Sequence, residues 1–390
     1  MITAQPIRAR RLLTESGWLE HTAVYVAQGR ITAIEPIASA EDSIEWDAEI
    51  LIPALIDTHV HGGSGVDVMD ASHEALDTLS QYLASQGVGA FLATTITAPM
   101  TDIEAALRQV VRSQAQGVGG AELLGSYLEG PYFTPENKGA HPESLFRDPT
   151  PDELNHLITL SKGSLRVVAL APENPGALSA IRYLKARGIN VMLGHTNADY
   201  DTTRAALDAG ADGLVHCFNG MKGVHHREPG TAGAGLSHDT AAIELIADGH
   251  HVHPAVMNIC CRCAPDRLVL ISDAMRAAGM PDGKYQLGEM QVTMENGVVR
   301  TAAGGLAGST LSLIGAIKTM VNEVGQPLEK AIEMASLIPA RLLGIDKRLG
   351  SIATGKSASF VALSSDYQVM STWVNGRQVW TASPQSTRTQ

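Results

Sequence analysis

Between residues 51 and 337 short apolar runs alternate with longer amphipathic stretches, and that alternation leaves few architectures open. Strand-like runs fall at 51–56, 88–95, 123–129, 165–170, 189–195, 213–217, 250–253 and 268–272. Helical patterning falls at 72–86, 101–116, 177–187, 199–209, 239–248, 309–324 and 328–337. Strands joined through helices run parallel and are covered on both faces, which is an α/β architecture. The repetition predicts a (β/α)8 TIM-like barrel, with an open α/β sheet as the alternative. No Gly-x-Gly-x-x-Gly follows the first run, which argues against a dinucleotide-binding sheet. Both ends of the chain are strand-like instead, at 22–26, 30–34, 358–363, 369–374 and 376–380. They predict a small β-sandwich domain built from residues 1–50 and 350–390, around a barrel at 51–349. Two separate β appendages are the alternative. The polar tail from Ser383 to Gln390 is expected to fray.

The first run ends in Asp57-Thr58-His59-Val60-His61-Gly62. Two positions is the strand period, so His59 and His61 leave the same face. Converging neutral imidazoles make half of a divalent-metal site. The pair alone carries little. Other strand ends add weight, because Glu129, His195, His216 and Asp273 each follow an apolar run. In a barrel, C-terminal strand ends gather at one mouth, so these six residues would converge there. A carboxylate can bridge two metals, and neutral His ligates without adding charge. Water on such a metal loses a proton near neutral pH. Asp273 would receive that proton and pass it to a leaving group. Its structural alternative is a cap on the next helix.

Composition bounds the remaining classes. Net charge of −12 over 390 residues opposes nonspecific nucleic-acid binding, while leaving room for a local basic pocket. No apolar run approaches a membrane span, and no signal-like apolar core adjoins Arg8, Arg10 and Arg11. A cytoplasmic protein is expected. Four cysteines do not make a disulfide scaffold. Cys260, Cys261 and Cys263 look like a metal cluster, but only the distant Cys217 accompanies them. Buried unpaired thiols are the expectation.

The motifs then point to a family. They are Pro53 to Gly62, Leu128-Glu129-Gly130-Pro131-Tyr132-Phe133, Lys138-Gly139-Ala140-His141 and Leu193-Gly194-His195-Thr196-Asn197-Ala198. Further ones are His216-Cys217-Phe218-Asn219-Gly220-Met221, Arg227-Glu228-Pro229-Gly230, Ala247 to Val252 and Ser272-Asp273-Ala274. Through most of its length the chain resembles the N-acetylglucosamine-6-phosphate deacetylases of the metal-dependent amidohydrolase superfamily. The resemblance implies hydrolysis of N-acetyl-D-glucosamine 6-phosphate to D-glucosamine 6-phosphate and acetate. It assigns Glu129, His195 and His216 to a principal metal, and His59 and His61 to a second, with Glu129 bridging. One or two divalent ions are implied, zinc foremost, with iron, manganese and cobalt also suited to these donors. Asp273 matches the catalytic acid/base, and His141 contacts the sugar or the reacting amide. Asn219, Gly220, Ala307, Gly308 and Ser309 match substrate-lining turns, and Arg227 and His251 match phosphate contacts. His225, His226 and His253 are candidate pocket neighbours. A homodimer is implied, with no nucleic-acid or membrane partner. Gly220, where many relatives carry Ala, and the segment His250 to His253 keep N-acetylgalactosamine 6-phosphate open as the substrate. Another amidohydrolase acting on an unphosphorylated amide, and an idle binding protein on the same scaffold, are further alternatives.

Overall fold

A computed structural model describes residues 6–37 and 45–383, so the polar tail beyond Ser383 lies outside the described residues. Eight parallel strands form one sheet in sequence order. They are β1 (Leu55–Val60), β2 (Val88–Thr95), β3 (Glu122–Glu129) and β4 (Leu165–Leu170), then β5 (Asn190–Leu193), β6 (Gly213–Leu214), β7 (Ala242–Ile246) and β8 (Leu268–Ile271). The sheet closes where the Asp273 N–H donates to the His59 carbonyl and the His61 N–H donates to the Ala274 carbonyl, both at 2.9 Å. Every residue of β1 and β2 is buried, one face by the barrel interior and the other by helices. That two-sided burial is why these strands are continuous apolar runs rather than alternating ones. Helices cover the outside and carry local start signals. Ser72 caps His73–Ser85, its hydroxyl accepting from the Ala75 N–H at 3.1 Å.

Both chain ends meet in a second sheet of seven strands. Its central strand, Ala48–Pro53, pairs parallel with Ile7–Thr14 and antiparallel with Phe360–Leu363. The sheet curls so that the Gly29 turn meets the Asn375–Gly376 turn. There the Ala358 N–H donates to the Gly29 carbonyl at 2.9 Å and the Gly376 N–H donates to the Ala358 carbonyl at 2.7 Å. Leu12, Val24, Ile31, Leu51 and Phe360 fill the space between.

Three sequence expectations need correction. The run 51–56 is not one strand, since Leu51 to Pro53 belongs to the terminal sheet and the barrel begins at Leu55. Residues 239–248 contain β7 rather than a helix. Residues 250–253 lie in the loop after β7 rather than in a strand. A short apolar run fits a buried strand and a buried helix equally well, and only pairing between β6 and β8 settles it. An unanticipated three-stranded antiparallel sheet, Gly283–Leu287, Met290–Glu295 and Val298–Thr301, follows β8. It packs on Ile96 and Met275 through Leu287, Val292, Met294 and Val299.

Candidate active site

The six predicted strand-end residues do come together. His59 is the penultimate residue of β1, Glu129 ends β3, and His61, His195, His216 and Asp273 stand one or two residues past β1, β5, β6 and β8. All six are buried. Glu129 sits between two histidine pairs. Its Oε1 lies 3.1 Å from His216 Nε2, 3.5 Å from His195 Nε2 and 3.4 Å from His59 Nε2, and its Oε2 lies 3.2 Å from His61 Nε2. Asp273 Oδ1 faces the same cluster, 3.2 Å from His61 Nε2 and 3.6 Å from His59 Nε2.

Hydrogen-bond partners assign the tautomers. The Nδ1–H of His195 donates to the Asn137 carbonyl at 3.0 Å, that of His216 to the Asn219 carbonyl at 3.1 Å, and that of His61 to the Thr94 carbonyl at 3.2 Å. In the neutral ring each Nε2 then carries the lone pair and faces the cluster. Yet His195 Nε2 and His216 Nε2 are 3.1 Å apart, and those of His59 and His61 are 3.3 Å apart. Imidazole nitrogens gathered this closely around one carboxylate fit donors that share a cation, so the residues present fit a divalent metal. Donor atoms of His59, His61 and Glu129 lie within 4.8 Å of one another, as do those of Glu129, His141 and His195.

His141 has the opposite tautomer. Its Nδ1 accepts from the Thr97 N–H at 3.3 Å and lies 2.7 Å from the Thr97 hydroxyl, and a neutral ring that accepts there carries its proton on Nε2. Nε2 lies 3.6 Å from Glu129 Oε2, so His141 brings a donor, not a lone pair, to the cluster. Burial and the neighbouring His195 push its pKa down to about 4, which keeps the ring neutral. For Asp273, burial favours the neutral acid, but the His61 hydrogen bond and the charges of His59, His61 and His216 hold it at about 2. Burial works likewise against ionised Glu129, and His59, His141, His195 and His216 outweigh it.

His141, Asn219, Gly220, His251, Ala307 and Gly308 line one cavity of about 310 Å³ with His61, Glu129, His195, His216 and Asp273. Leu287 and Leu306 close it from the side of the three-stranded sheet. Ser309 lies behind this wall, its hydroxyl donating to the Ser272 carbonyl at 2.5 Å and its N–H to the Asp273 carbonyl at 2.8 Å. Arg227 is exposed on a loop, its Nη1 2.8 Å from His226 Nε2, and does not line the cavity. The His225 and His226 rings meet beside it at a tilt of 52°, with centroids 4.3 Å apart. His253 caps the helix Pro254–Cys263, its Nδ1 accepting from the Ala255 N–H. Cys260 and Cys261 are buried within that helix, and burial pushes their thiols up to about 12 and about 11. Burial favours the neutral thiol at both, whereas Cys263, expected to be buried with them, is exposed at the end of the helix.

Sequence reasoning missed Thr97, Asn137 and Glu244, which set ring orientations. Glu244 went unseen because its segment reads equally well as a helix. The three-stranded sheet did carry a signal: Asn296-Gly297 between two alternating runs is a tight-hairpin dipeptide.

A closed parallel barrel with this donor cluster and a carboxylate at its mouth defines a metal-dependent hydrolase. The chain belongs to the amidohydrolase family, whose profile matches residues 50–379. It is closely related to N-acetylhexosamine-6-phosphate deacetylases. It is 59% identical over 371 residues to N-acetylgalactosamine-6-phosphate deacetylase of Escherichia coli O157:H7, covering 95% of this chain and 98% of that one. It is 54% identical over 382 residues to N-acetylglucosamine-6-phosphate deacetylase of Vibrio furnissii, covering 97% and 96%. Among solved structures, a mutant N-acetyl-D-glucosamine-6-phosphate deacetylase from Mycobacterium smegmatis in complex with N-acetyl-D-glucosamine-6-phosphate superposes with a TM-score of 0.91. That pair is 33% identical, over 97% of this chain and 100% of the other.

Proposed function

We propose that the protein hydrolyses the acetamide of an N-acetylhexosamine 6-phosphate, and that its preferred substrate is N-acetyl-D-galactosamine 6-phosphate. Products are D-galactosamine 6-phosphate and acetate. The epimer choice rests on the 59% identity to the Escherichia coli O157:H7 enzyme. The gluco epimer, expected from the sequence resemblance, is the second reading. The 54% identity to the Vibrio furnissii enzyme favours it. A cytoplasmic location belongs to the same proposal, because a sugar phosphate carries charge that keeps it from crossing a bilayer unaided.

Glu129, His195 and His216 would hold one divalent ion and Glu129, His59 and His61 a second, supplying Lewis-acid charge that acidifies water and polarises the acetyl carbonyl. Zinc is the proposed ion. Asp273 takes the proton from the attacking water and delivers it to the departing nitrogen, so the amine leaves neutral. His141 donates its Nε2–H to the oxyanion as charge develops there. Asn219, Gly220 and His251 orient the sugar and its phosphate, which holds the acetamide near Asp273. Arg227 is exposed and does not line its own cavity, so we assign it to the phosphate bound by the second subunit of a homodimer.

Acetate release by purified, metal-quantified protein from both phosphorylated epimers, with the unphosphorylated sugars alongside, tests the proposal. A higher kcat/KM on the galacto phosphate is expected. A higher value on the gluco phosphate selects the second reading, and no release from either overturns both. Arg227→Ala should raise KM for phosphorylated substrates alone, and equal losses on unphosphorylated sugars would remove its phosphate role.

A further inference from the structure

Glu244 takes no part in the steps above, yet it is 1% exposed and sits in the barrel interior. The other residues of β7, Ala242, Ile243, Leu245 and Ile246, are apolar and buried. A carboxylate is costly in such surroundings unless something uses it. Its Oε2 lies 3.3 Å from His59 Nδ1. Its Oε1 has no hydrogen-bond partner among the described residues. The Tyr127 ring also packs against His59, with centroids 4.7 Å apart. His61, His195 and His216 give their Nδ1–H to backbone carbonyls, whereas His59 faces a carboxylate. An anionic acceptor fixes the ring's tautomer and raises the basicity of the opposite nitrogen more than a carbonyl does.

We propose that Glu244 is a positioning residue for the second metal position, locking His59 with its proton on Nδ1 and strengthening Nε2 as a ligand. The His59–His61 position then holds its ion tightly only with Glu244 in place, and two-metal competence depends on a residue that touches neither metal nor substrate. This rests on the assignment of His59 and His61 as metal ligands. The bland alternative is a carboxylate that merely anchors β7 to β1.

Metal-free protein is titrated with Co2+, followed by its visible absorbance and by chelator competition, for the wild type, Glu244→Leu, Glu244→Gln, His59→Ala and the double variant His59→Ala/Glu244→Leu. Leu suits the apolar surroundings and removes the acceptor. Gln keeps an acceptor oxygen without the charge. Glu244→Leu is expected to weaken the second Co2+ equivalent about 10–100-fold and leave the first unchanged. Gln should recover part of the loss, and the double variant should bind no more weakly than His59→Ala. An anchoring role alone would shift the melting temperature without selecting one equivalent. Unchanged binding of both equivalents by Glu244→Leu, or losses that add in the double variant, would overturn the proposal. Should Glu244→Leu fail to fold, the Gln variant carries the same test. If His59→Ala also keeps both equivalents, the assignment of the histidine pair falls as well. If only His59→Ala loses one, Glu244 alone is misassigned.

Discussion

Asp273 presents its carboxylate from a backbone at φ +49°, and His195 and His216 stand at +45° and +26°. L-residues enter that region at a cost of about 1 kcal/mol or more each. Here each left-handed residue falls two positions past the end of its barrel strand. Strain is therefore spent where donor atoms must meet. Replacing Asp273 with Asn should lower kcat roughly 10²–10⁴-fold, since proton transfer is lost. Metal content should hold, and turnover near the wild-type rate would refute the assignment. Gly220 answers a different constraint. It stands at φ +58°, and a Cβ there would come within 2.9 Å of His195 Nδ1. That nitrogen is already committed to the Asn137 carbonyl. Gly220→Ala should cost about 1–2 kcal/mol and tilt His195, lowering both melting temperature and metal affinity. A variant matching wild type in both would show that the loop yields without disturbing the ring.

At the scale of elements, the three-stranded sheet over residues 283–301 converts an open barrel end into a walled cavity. Met294 is buried with Ile96, Met275 and Leu287, so its truncation should loosen the sheet rather than the barrel. We expect Met294→Ala to cost about 2–5 kcal/mol locally, to speed amide exchange over 283–301 and to raise KM, with metal content intact. Exchange unchanged in that segment would mean that the sheet is held by other contacts. Its Asn296-Gly297 turn was legible in the sequence. β7 was not, because Ala-Ile-Glu-Leu-Ile has no period that separates a buried strand from a buried helix. The donor-bearing strand ends were legible for the opposite reason. An isolated His or acid closing an apolar run has few structural uses, and several such ends share one mouth in a barrel.

The molecule as a whole is tied together by its two ends. Glu15 accepts from Lys356 Nζ at 2.7 Å and from the Ser351 hydroxyl at 2.5 Å, joining the N-terminal hairpin to the segment after the barrel. The Lys356 and Ser351 hydrogen bonds hold its carboxyl below the usual value of 4.5. A depressed folded pKa stabilises above the unfolded value and loses its effect as pH falls through the folded one. Glu15→Gln should therefore unfold at lower urea than wild type at about pH 7, and the gap should close as pH falls through the folded pKa of Glu15. The effect will be small, because the side chain is 50% exposed and solvent screens it. A gap that persists in acid would assign the stabilisation to packing. By itself the sequence determined the barrel, the terminal β domain and the set of residues at the mouth, because periodicity and chain direction are local properties. Tertiary structure alone decided which nitrogens face each other, that the Thr97 N–H turns His141 to the opposite tautomer from its neighbours, and that Glu244 stands behind His59 across 185 residues of chain. Those depend on distances between strands that only barrel closure sets, and no local pattern encodes them.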